Sequence, residues 1–319
     1  MFKYTLKRIG LLLITFFVVM LMCFVLLKLV PETIVCTPTS QGGNCDAVYA
    51  WYEAMGYNKP IMEQFWIYLS KFFTGDFGMG TKMYPMQSVV SVMAQKLPAT
   101  IAVNIYTMIF SVPLGLLFGA FAALKKNKWQ DQAISVGVML IISVPSYVYC
   151  FIILYLLCFK LGWFPLRVND GTNYFTFEMF YSMIPACLCL GLGTIAGLTR
   201  YTRAELTEVL TSEYMLLARA KGLSRGQATV RHAFRNAMVP IFPMILGEII
   251  GVLGGSLIVE KFFSIPGVGN LYIQSITVMD YSFYMFLNMF YISIGLVAGL
   301  VIDLSYGLID PRIRMGGRK

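Results

Sequence analysis

Six long apolar stretches dominate the pattern of hydrophobic and polar positions along this chain. They reach the roughly 20 residues that a helix needs to cross the hydrocarbon core of a bilayer. The stretches cover residues 9–30, 99–124, 132–157, 182–199, 238–259 and 284–308. The pattern therefore predicts an all-α membrane protein with six transmembrane helices, an extracellular segment after the first helix and a polar cytoplasmic segment between the fourth and fifth.

The fourth stretch is the shortest and is rich in glycine. Gly191, Gly193 and Gly197 all lie within it. Small residues allow two helices to approach closely inside a membrane. We therefore expect this helix to pack against its neighbours more than it faces lipid.

The composition supports a membrane location. Of the 319 residues, 58% are hydrophobic and 13% are charged, whereas soluble domains contain about 25% charged residues. The formal net charge of +9 does not indicate a nucleic-acid partner, because most basic residues flank the apolar stretches on one side. That asymmetry predicts that both termini lie in the cytoplasm.

The polar segments divide the chain into three parts. Residues 1–98 should hold the first helix and a long extracellular segment, residues 99–314 the other five helices, and residues 315–319 a cytoplasmic tail. The first apolar stretch is longer than that of a signal peptide, and no small-residue cleavage site follows it, so we expect it to be retained. Helical spacing after Pro60 predicts a short helix over 60–73.

Two cysteines, Cys36 and Cys45, lie in the extracellular segment, where oxidation is possible. They form either a disulfide that closes a short loop or two free thiols. The other five cysteines lie in or beside the apolar stretches, and we expect them to behave as small apolar side chains.

Catalytic machinery is missing from the sequence. It has no phosphate-binding loop of the Gly-x4-Gly-Lys-Ser/Thr type. The single histidine, His232, has no Cys, Asp or Glu beside it at the spacing of metal ligands. We therefore expect a chain that is not an enzyme and that itself binds no metal or cofactor. Any energy it uses must come from an ion gradient or a partner.

Residues 200–237 are too polar to span a membrane and too long for a tight connection. Charged residues predict a water-facing helix in the range 203–223, with Gly222 as its C-terminal stop. Its apolar side chains recur at helical spacing: Leu206, Val209, Leu210, Tyr214 and Leu217. This stripe fits the groove of a partner protein or the inner surface of the membrane, and physical reasoning alone favours neither.

Two segments in this region resemble a known coupling loop. EYMLLARAKGL at 213–223 and RHAFRNAMVP at 231–240 are similar to the loop of ABC importer permeases, in the form found in the oligopeptide and dipeptide permease family. Leu216-Leu217-Ala218 here replace the Glu-Ala-Ala of the general permease loop.

The resemblance extends over nearly the whole chain. The opening YTLKRIGLLL is similar to the N-terminus of the family, although Glu32-Thr33 replace its usual Gly-Asp. The other matching segments, in order, are GDFGMG at 75–80, KLPAT at 96–100, EKFFSIPGVGNL at 260–271 and DLSYGLIDPRIR at 303–314.

The resemblance implies a pore-forming subunit of an ATP-driven peptide importer in the bacterial inner membrane. Such an importer contains a second related permease, two cytoplasmic ATPase subunits that bind ATP and Mg²⁺, and an extracellular substrate-binding protein that delivers peptide. A coupling helix of each permease enters a groove on one ATPase. In this chain the implied ATPase contacts are Glu213, Tyr214, Ala218, Arg219, Ala220, Gly222 and Leu223.

Two acidic residues within the apolar stretches are further candidates. Glu248 falls near the middle of the fifth stretch, where a charge is costly. It either lines the peptide path and meets a peptide amine, or forms a structural pair with the second permease, or is protonated. Asp303 lies nearer the cytoplasmic end of the sixth stretch, where a structural role is favoured over a role in the path.

A Pro- and Gly-containing loop follows the fifth stretch at the predicted extracellular mouth. Its marked residues are Glu260, Phe263, Pro266, Gly267 and Gly269. Proline and glycine fix the shape of such a loop. The loop either contacts the binding protein or gates the outer entrance, or it is an inert turn.

Alternatives to peptide cargo stay open at this point. Relatives of the peptide permeases transport nickel complexes, glutathione or oligosaccharides, and no residue excludes these. A self-sufficient ion-coupled carrier is a different class of protein. It would need no docking loop and would be expected to show inverted repeats with broken helices.

Overall fold

The computed structural model describes residues 2–29, 45–169 and 171–309, and within these ranges the chain is built from helices. The first six helices are α1 (Phe2–Lys28), α2 (Cys45–Ala54), α3 (Ile61–Phe73), α4 (Val89–Leu124), α5 (Trp129–Ser143) and α6 (Ser146–Ile153), which continues as a π-helix over Leu154–Lys160. The next four are α7 (Phe177–Leu210), α8 (Glu213–Ala220), α9 (Arg225–Ala228) and, after a π-helical turn over Thr229–Phe234, α10 (Arg235–Gly251). The last three are α11 (Leu257–Phe262), α12 (Val268–Thr277) and α13 (Tyr281–Ile309).

Five continuous helices are long and apolar enough to cross a membrane, and a bent pair of helices makes a sixth crossing if the two count as one span. The five are α1, α4, α7, the run Gly226–Gly251 that ends with α10, and α13. The sixth is α5 with α6. These elements correspond to the six apolar stretches in order, so the predicted all-α membrane fold is confirmed, with five or six crossings.

The third crossing is broken, although the sequence predicted one helix over 132–157. The axes of α5 and α6 differ by 101°. The bend falls at Val144, which has an extended backbone with φ −89° and ψ 127°. The next residue, Pro145, causes this, because its ring disfavours a helical conformation in the residue before it.

The contact between α4 and α7 is the most extensive in the fold. Two glycines of α4, which the sequence analysis did not single out, allow the two helix backbones to approach closely. A Cβ on Gly119 would lie 2.5 Å from the Cβ of Thr202, and one on Gly115 would lie 2.7 Å from the Cβ of Leu198. The hydroxyl of Thr199 also donates a hydrogen bond to the Gly115 carbonyl oxygen at 3.2 Å.

The glycines predicted for this role in α7 contribute less than expected. Only Gly191 faces a neighbour, the ring of Phe110. A Cβ on Gly193 or Gly197 would meet nothing within 4 Å. The prediction was therefore right about close packing of α7 and about Gly191, and wrong about Gly193 and Gly197, because the periodicity did not reveal which side of the helix faces α4.

The predicted helix over 60–73 is confirmed as α3, which packs on α1 and α13. Phe65 and Tyr68 of α3 are buried against Met20 and Phe24 of α1. At the other end of the same pair of helices, a guanidinium nitrogen of Arg8 lies 2.9 Å from a carboxylate oxygen of Asp303.

Asp280 fastens the segment before α4 to the start of α13. Its carboxylate is fully buried. One oxygen accepts hydrogen bonds from three consecutive backbone N–H groups, those of Thr81, Lys82 and Met83, at 2.8–3.0 Å. A buried carboxylate needs such donors, so this contact fixes how the 75–88 segment lies over the helices.

Gly119→Val should destabilise the α4–α7 contact. The added isopropyl group has no space beside Thr202, and overpacking of this kind costs about 1–3 kcal/mol. We expect a lower midpoint of thermal unfolding for the purified protein in detergent. Gly137→Val on α5, where a Cβ would meet nothing within 4 Å, is the matched control. Equal midpoints for the two variants would contradict the close-contact assignment.

Asp280→Ala should release the segment around Lys82. Three backbone donors would lose their acceptor, which costs about 1–3 kcal/mol for each buried group left unpaired. We expect faster tryptic cleavage after Lys82 in detergent-solubilised protein, measured by mass spectrometry. Glu63→Ala removes only an exposed ion pair with Lys59 and should leave that rate unchanged. An unchanged rate in Asp280→Ala would show that the carboxylate does not hold the segment.

Candidate functional site

The segment predicted as one helix near 203–223 forms the end of α7 and a separate helix, α8. The break falls at Thr211 and Ser212, whose hydroxyls donate hydrogen bonds to carbonyl oxygens of the last turn of α7, those of Glu208 at 2.9 Å and Val209 at 2.6 Å. Such side-chain bonds compete with the helical backbone. Leu206 and Tyr214 therefore lie on different helices, and the predicted continuous stripe is wrong.

Gly222 ends α8 as expected. Its φ of +90° is readily adopted by glycine and rarely by other residues. Its N–H donates to the Arg219 carbonyl oxygen at 3.0 Å, and the N–H of Leu223 donates to that of Ala218 at 3.3 Å. These two bonds form a Schellman motif, so the glycine has a defined structural role in shaping the loop.

The two faces of α8 have different environments. Met215 and Ala218 are buried, together with Leu206 of α7 and with alanines of the following turns and of α10. The opposite face leaves three apolar side chains open, Tyr214 at 40%, Leu216 at 64% and Leu217 at 57% exposure. One apolar face therefore holds α8 against the rest of the chain, and the other is exposed.

The seven residues predicted to contact an ATPase accordingly divide into two groups. Ala218 is buried and Leu223 half-buried, and both pack in the interior of the loop. The exposed members are Glu213, Tyr214, Arg219, Ala220 and Gly222. Leu216, noted only as a departure from the general motif, and Leu217, noted also in the apolar stripe, are the most exposed large apolar side chains of α8.

A cavity of about 420 Å³ with both polar and apolar lining residues lies between α4, α7 and α10. Glu248 of α10 faces it and accepts a hydrogen bond from the hydroxyl of Thr194 on α7 at 3.2 Å. The other polar lining residues belong to α4: Asn104, Thr107 and Ser111. The hydroxyl of Ser111 is buried and has no hydrogen-bond partner among the described residues.

Glu248 does not lie in the middle of its own helix, as the sequence suggested. α10 ends at Gly251, short of the predicted end at 259, so Glu248 is in its last turn. It is nevertheless level with the centres of two longer helices. Its partner Thr194 is midway along α7. Asn104, in the central third of α4, donates a hydrogen bond to the nearby Val252 carbonyl oxygen at 3.3 Å.

Glu260 organises the turn after α10 from the inside. Its carboxylate is fully buried, accepting hydrogen bonds from the Thr100 hydroxyl at 2.8 Å and the Asn270 N–H at 3.0 Å. A Cβ on Gly267 or Gly269 would lie within 3 Å of the same carboxylate. Burial raises the pKa of the Glu260 carboxyl above its usual range, and these hydrogen bonds oppose that shift.

The five residues marked in this turn therefore face inward more than outward. Glu260, Phe263, Gly267 and Gly269 are buried, and Pro266 is half-buried. The exposed positions are Lys261, Phe262 and Ser264. A contact of this turn with another protein would use those three side chains.

The remaining predicted residues are dispersed. Asp303 is paired with Arg8 at the far end of α13 and does not line the cavity with Glu248. Cys36 lies outside the described residues, and of Cys45 only its place at the start of α2 is described, so the predicted disulfide stays a prediction.

Sequence reasoning missed an ion pair beside the loop. Arg203 of α7 donates two hydrogen bonds to Asp131 of α5, one of them at 2.8 Å, and Asp131 also accepts from the Asn127 N–H at 2.9 Å. The signal was available, since an aspartate at the start of an apolar helix needs a partner. Its partner is 72 residues away, which periodicity does not reveal.

Two family models match the chain. The model described as binding-protein-dependent transport system inner membrane component covers residues 115–315. The model for the N-terminal part of such membrane components covers residues 1–104. Together they account for nearly the whole chain.

Similar proteins match over their full length. A dipeptide transport system permease protein of Lactococcus lactis is 36% identical, covering 99% of this chain and 100% of that protein. An oligopeptide transport system permease protein of Haemophilus influenzae is 31% identical, covering 98% of this chain and 100% of that protein. A glutathione transport system permease protein of Escherichia coli strain K12 is 29% identical, covering 98% and 99%.

The fold is also similar to that of a solved structure. A chain of the MetNI methionine ABC transporter in an inward-facing conformation superposes with a TM-score of 0.51 at 15% identity, covering 68% of this chain and 97% of that one. This likeness supports the fold. The family matches and the full-length relatives show that the chain belongs to the inner-membrane components of binding-protein-dependent transport systems, the permease subunits of bacterial ABC importers.

Proposed function

We propose that this chain is a pore-forming permease subunit of an importer that moves dipeptides or oligopeptides into the cell. The observation that supports this most directly is the 36% identity with a dipeptide permease over the full length of both proteins. Two relatives named as dipeptide and oligopeptide permeases, each 31% identical, point to the same class of cargo.

Glutathione is the second candidate cargo, because a glutathione permease is 29% identical over 98% of the chain. The two candidates share chemistry, since glutathione is itself a small peptide with a free amine and two carboxylates. The described cavity beside Glu248 has the volume of a small-ligand site. It therefore suits a short peptide better than a long folded segment.

The energy would come from two separate cytoplasmic ATPase subunits, which bind ATP and Mg²⁺. The exposed apolar face of α8 is the surface proposed to dock on one of them, with Tyr214, Leu216 and Leu217 entering a groove. A second, related permease would bind its own ATPase in the same way. An extracellular binding protein would deliver peptide to the other end, with both termini of this chain in the cytoplasm.

Movement of α8 would reach the cavity through direct contacts. Met215 and Ala218 pack in one cluster with Leu206 of α7 and Ala237 of α10. The same two long helices line the cavity further along, at Thr194 and Glu248. A push on α8 would therefore displace both helices, and close packing would transmit it without a separate linker.

Leu217→Glu should weaken docking of the ATPase without unfolding the loop. The side chain is 57% exposed, so a carboxylate there stays in water in the free chain and would be placed in an apolar groove in the complex. We expect loss of the ATPase subunits, with the second permease retained, when the tagged chain is purified from gently solubilised membranes. The readout is mass spectrometry of the copurified proteins.

Val230→Glu is the matched control, since Val230 is also exposed and lies outside α8. It should copurify the ATPases as the unmodified chain does. Recovery of the unmodified chain alone, with no second permease or ATPase, would contradict the proposed function. Undiminished ATPase recovery with Leu217→Glu would contradict only the docking face.

Deletion of the gene in its native bacterium should abolish uptake of the cargo. We expect loss of labelled dipeptide and oligopeptide uptake, restored by the intact gene, because the relatives act on these compounds. Labelled glutathione, measured in the same strains, tests the second candidate. Unchanged uptake of all three compounds would contradict the proposal.

A further inference from the structure

We propose that the cavity between α4, α7 and α10 is a subsite for a primary ammonium group, the free N-terminal amine of the transported peptide, and that Glu248 is its counter-ion. This inference rests on the proposed function and deepens it. It says which group of the cargo this chain would recognise during transport, namely the free amine.

The charge arrangement of the cavity favours a cation. The Glu248 carboxylate faces the cavity and has one described side-chain partner, the neutral hydroxyl of Thr194. The cavity is also lined by Gly251, the last residue of α10, and by Val252. A helix end of this kind carries the negative end of the helix dipole. Both features place negative potential in the same space.

The remaining polar groups suit the amide next to such an amine. Thr107 and Ser111 of α4 line the same cavity as Glu248. The Thr107 hydroxyl donates to the Val103 carbonyl oxygen at 2.7 Å and can still accept a hydrogen bond. Ser111 also belongs to the lining, but its hydroxyl is buried behind the cavity surface and has no partner among the described residues; a small shift of the lining would let it donate to a carbonyl oxygen.

The position of Glu248 along the transmembrane helices favours contact with a ligand that crosses the membrane. Glu248 is level with the centres of α4 and α7, where an unpaired charge facing lipid is strongly unfavourable. The carboxylate is exposed in the single chain. In its charged form it must therefore face a water-containing path, where an ammonium group can reach it, or a second subunit. The open cavity beside it favours the path.

The first test uses the unmodified importer complex in detergent, without the binding protein. An apolar carbodiimide labels carboxyl groups in membrane interiors, and mass spectrometry measures the adduct on Glu248. A peptide with a free N-terminus should reduce that labelling, and the same peptide with an acetylated N-terminus should not. Equal effects of the two peptides, or protection by sodium ions alone, would overturn the assignment.

The second test compares uptake in the deletion strain complemented with Glu248→Gln, Glu248→Asp or intact protein. The readout is the uptake ratio of a free-amine peptide to its N-acetylated form. Any preference of the binding protein is the same in every strain, and the amount of folded permease cancels in the ratio. Glu248→Gln should lower the ratio by about tenfold, the loss typical of one charged hydrogen bond.

Glu248→Asp keeps the charge and should restore much of the ratio. Glu178→Gln, a change at an exposed glutamate of α7 outside the cavity, should leave it unaltered. An unaltered ratio in Glu248→Gln, with peptide uptake intact in the complemented strain, would overturn the subsite and leave the proposed function standing. Absence of peptide uptake in the strain with intact protein would overturn both.

Discussion

The close approach of α4 to α7 is the contact on which the rest of this structure depends. Lipid is as apolar as the helices, so burial of apolar area does little to bring them together, and tight packing must do so instead. Gly115 and Gly119 permit that packing, and the Thr199 hydroxyl adds a bond to the Gly115 carbonyl. The α5–α6 pair, α10 and the loop around α8 all pack on this pair of helices.

A rigid pair of helices would suit the mechanical role proposed for the loop around α8. The contacts that hold α8 are made largely by alanines, among them Ala218, Ala233 and Ala237. Small side chains leave little space for rotamer changes to absorb a displacement. At the opposite end of the same helices, Thr100 of α4 connects Glu260 to the start of α12 through hydrogen bonds of 2.8 Å. The loop around α8 and the turn before α12 therefore contact opposite ends of the helices that line the cavity.

The six crossings could be predicted from the sequence because length and apolarity are local properties. The break in the third could not. Pro145 interrupts a crossing, whereas Pro113 in α4 and Pro185 in α7 lie inside continuous helices. A proline within an apolar stretch thus has two outcomes, and the surrounding helices decide between them. The early end of α10 is a similar case, decided by the turn that Glu260 organises from within.

The sequence predicted which segments hold the candidate site, but it did not predict which side chains are exposed or which residues they contact. Resemblance located the proposed docking segment, but Ala218 faces inward and Leu217 outward only because α7 stops at Leu210. Glu248 was found as a charge in an apolar stretch, whereas its neighbour Thr194 is 54 residues away and looks like any helical threonine. That single neutral partner has a further consequence. A charged carboxylate at this depth must be matched by water, cargo or a second subunit, and under the proposed function this chain would form one wall of a path that other molecules complete.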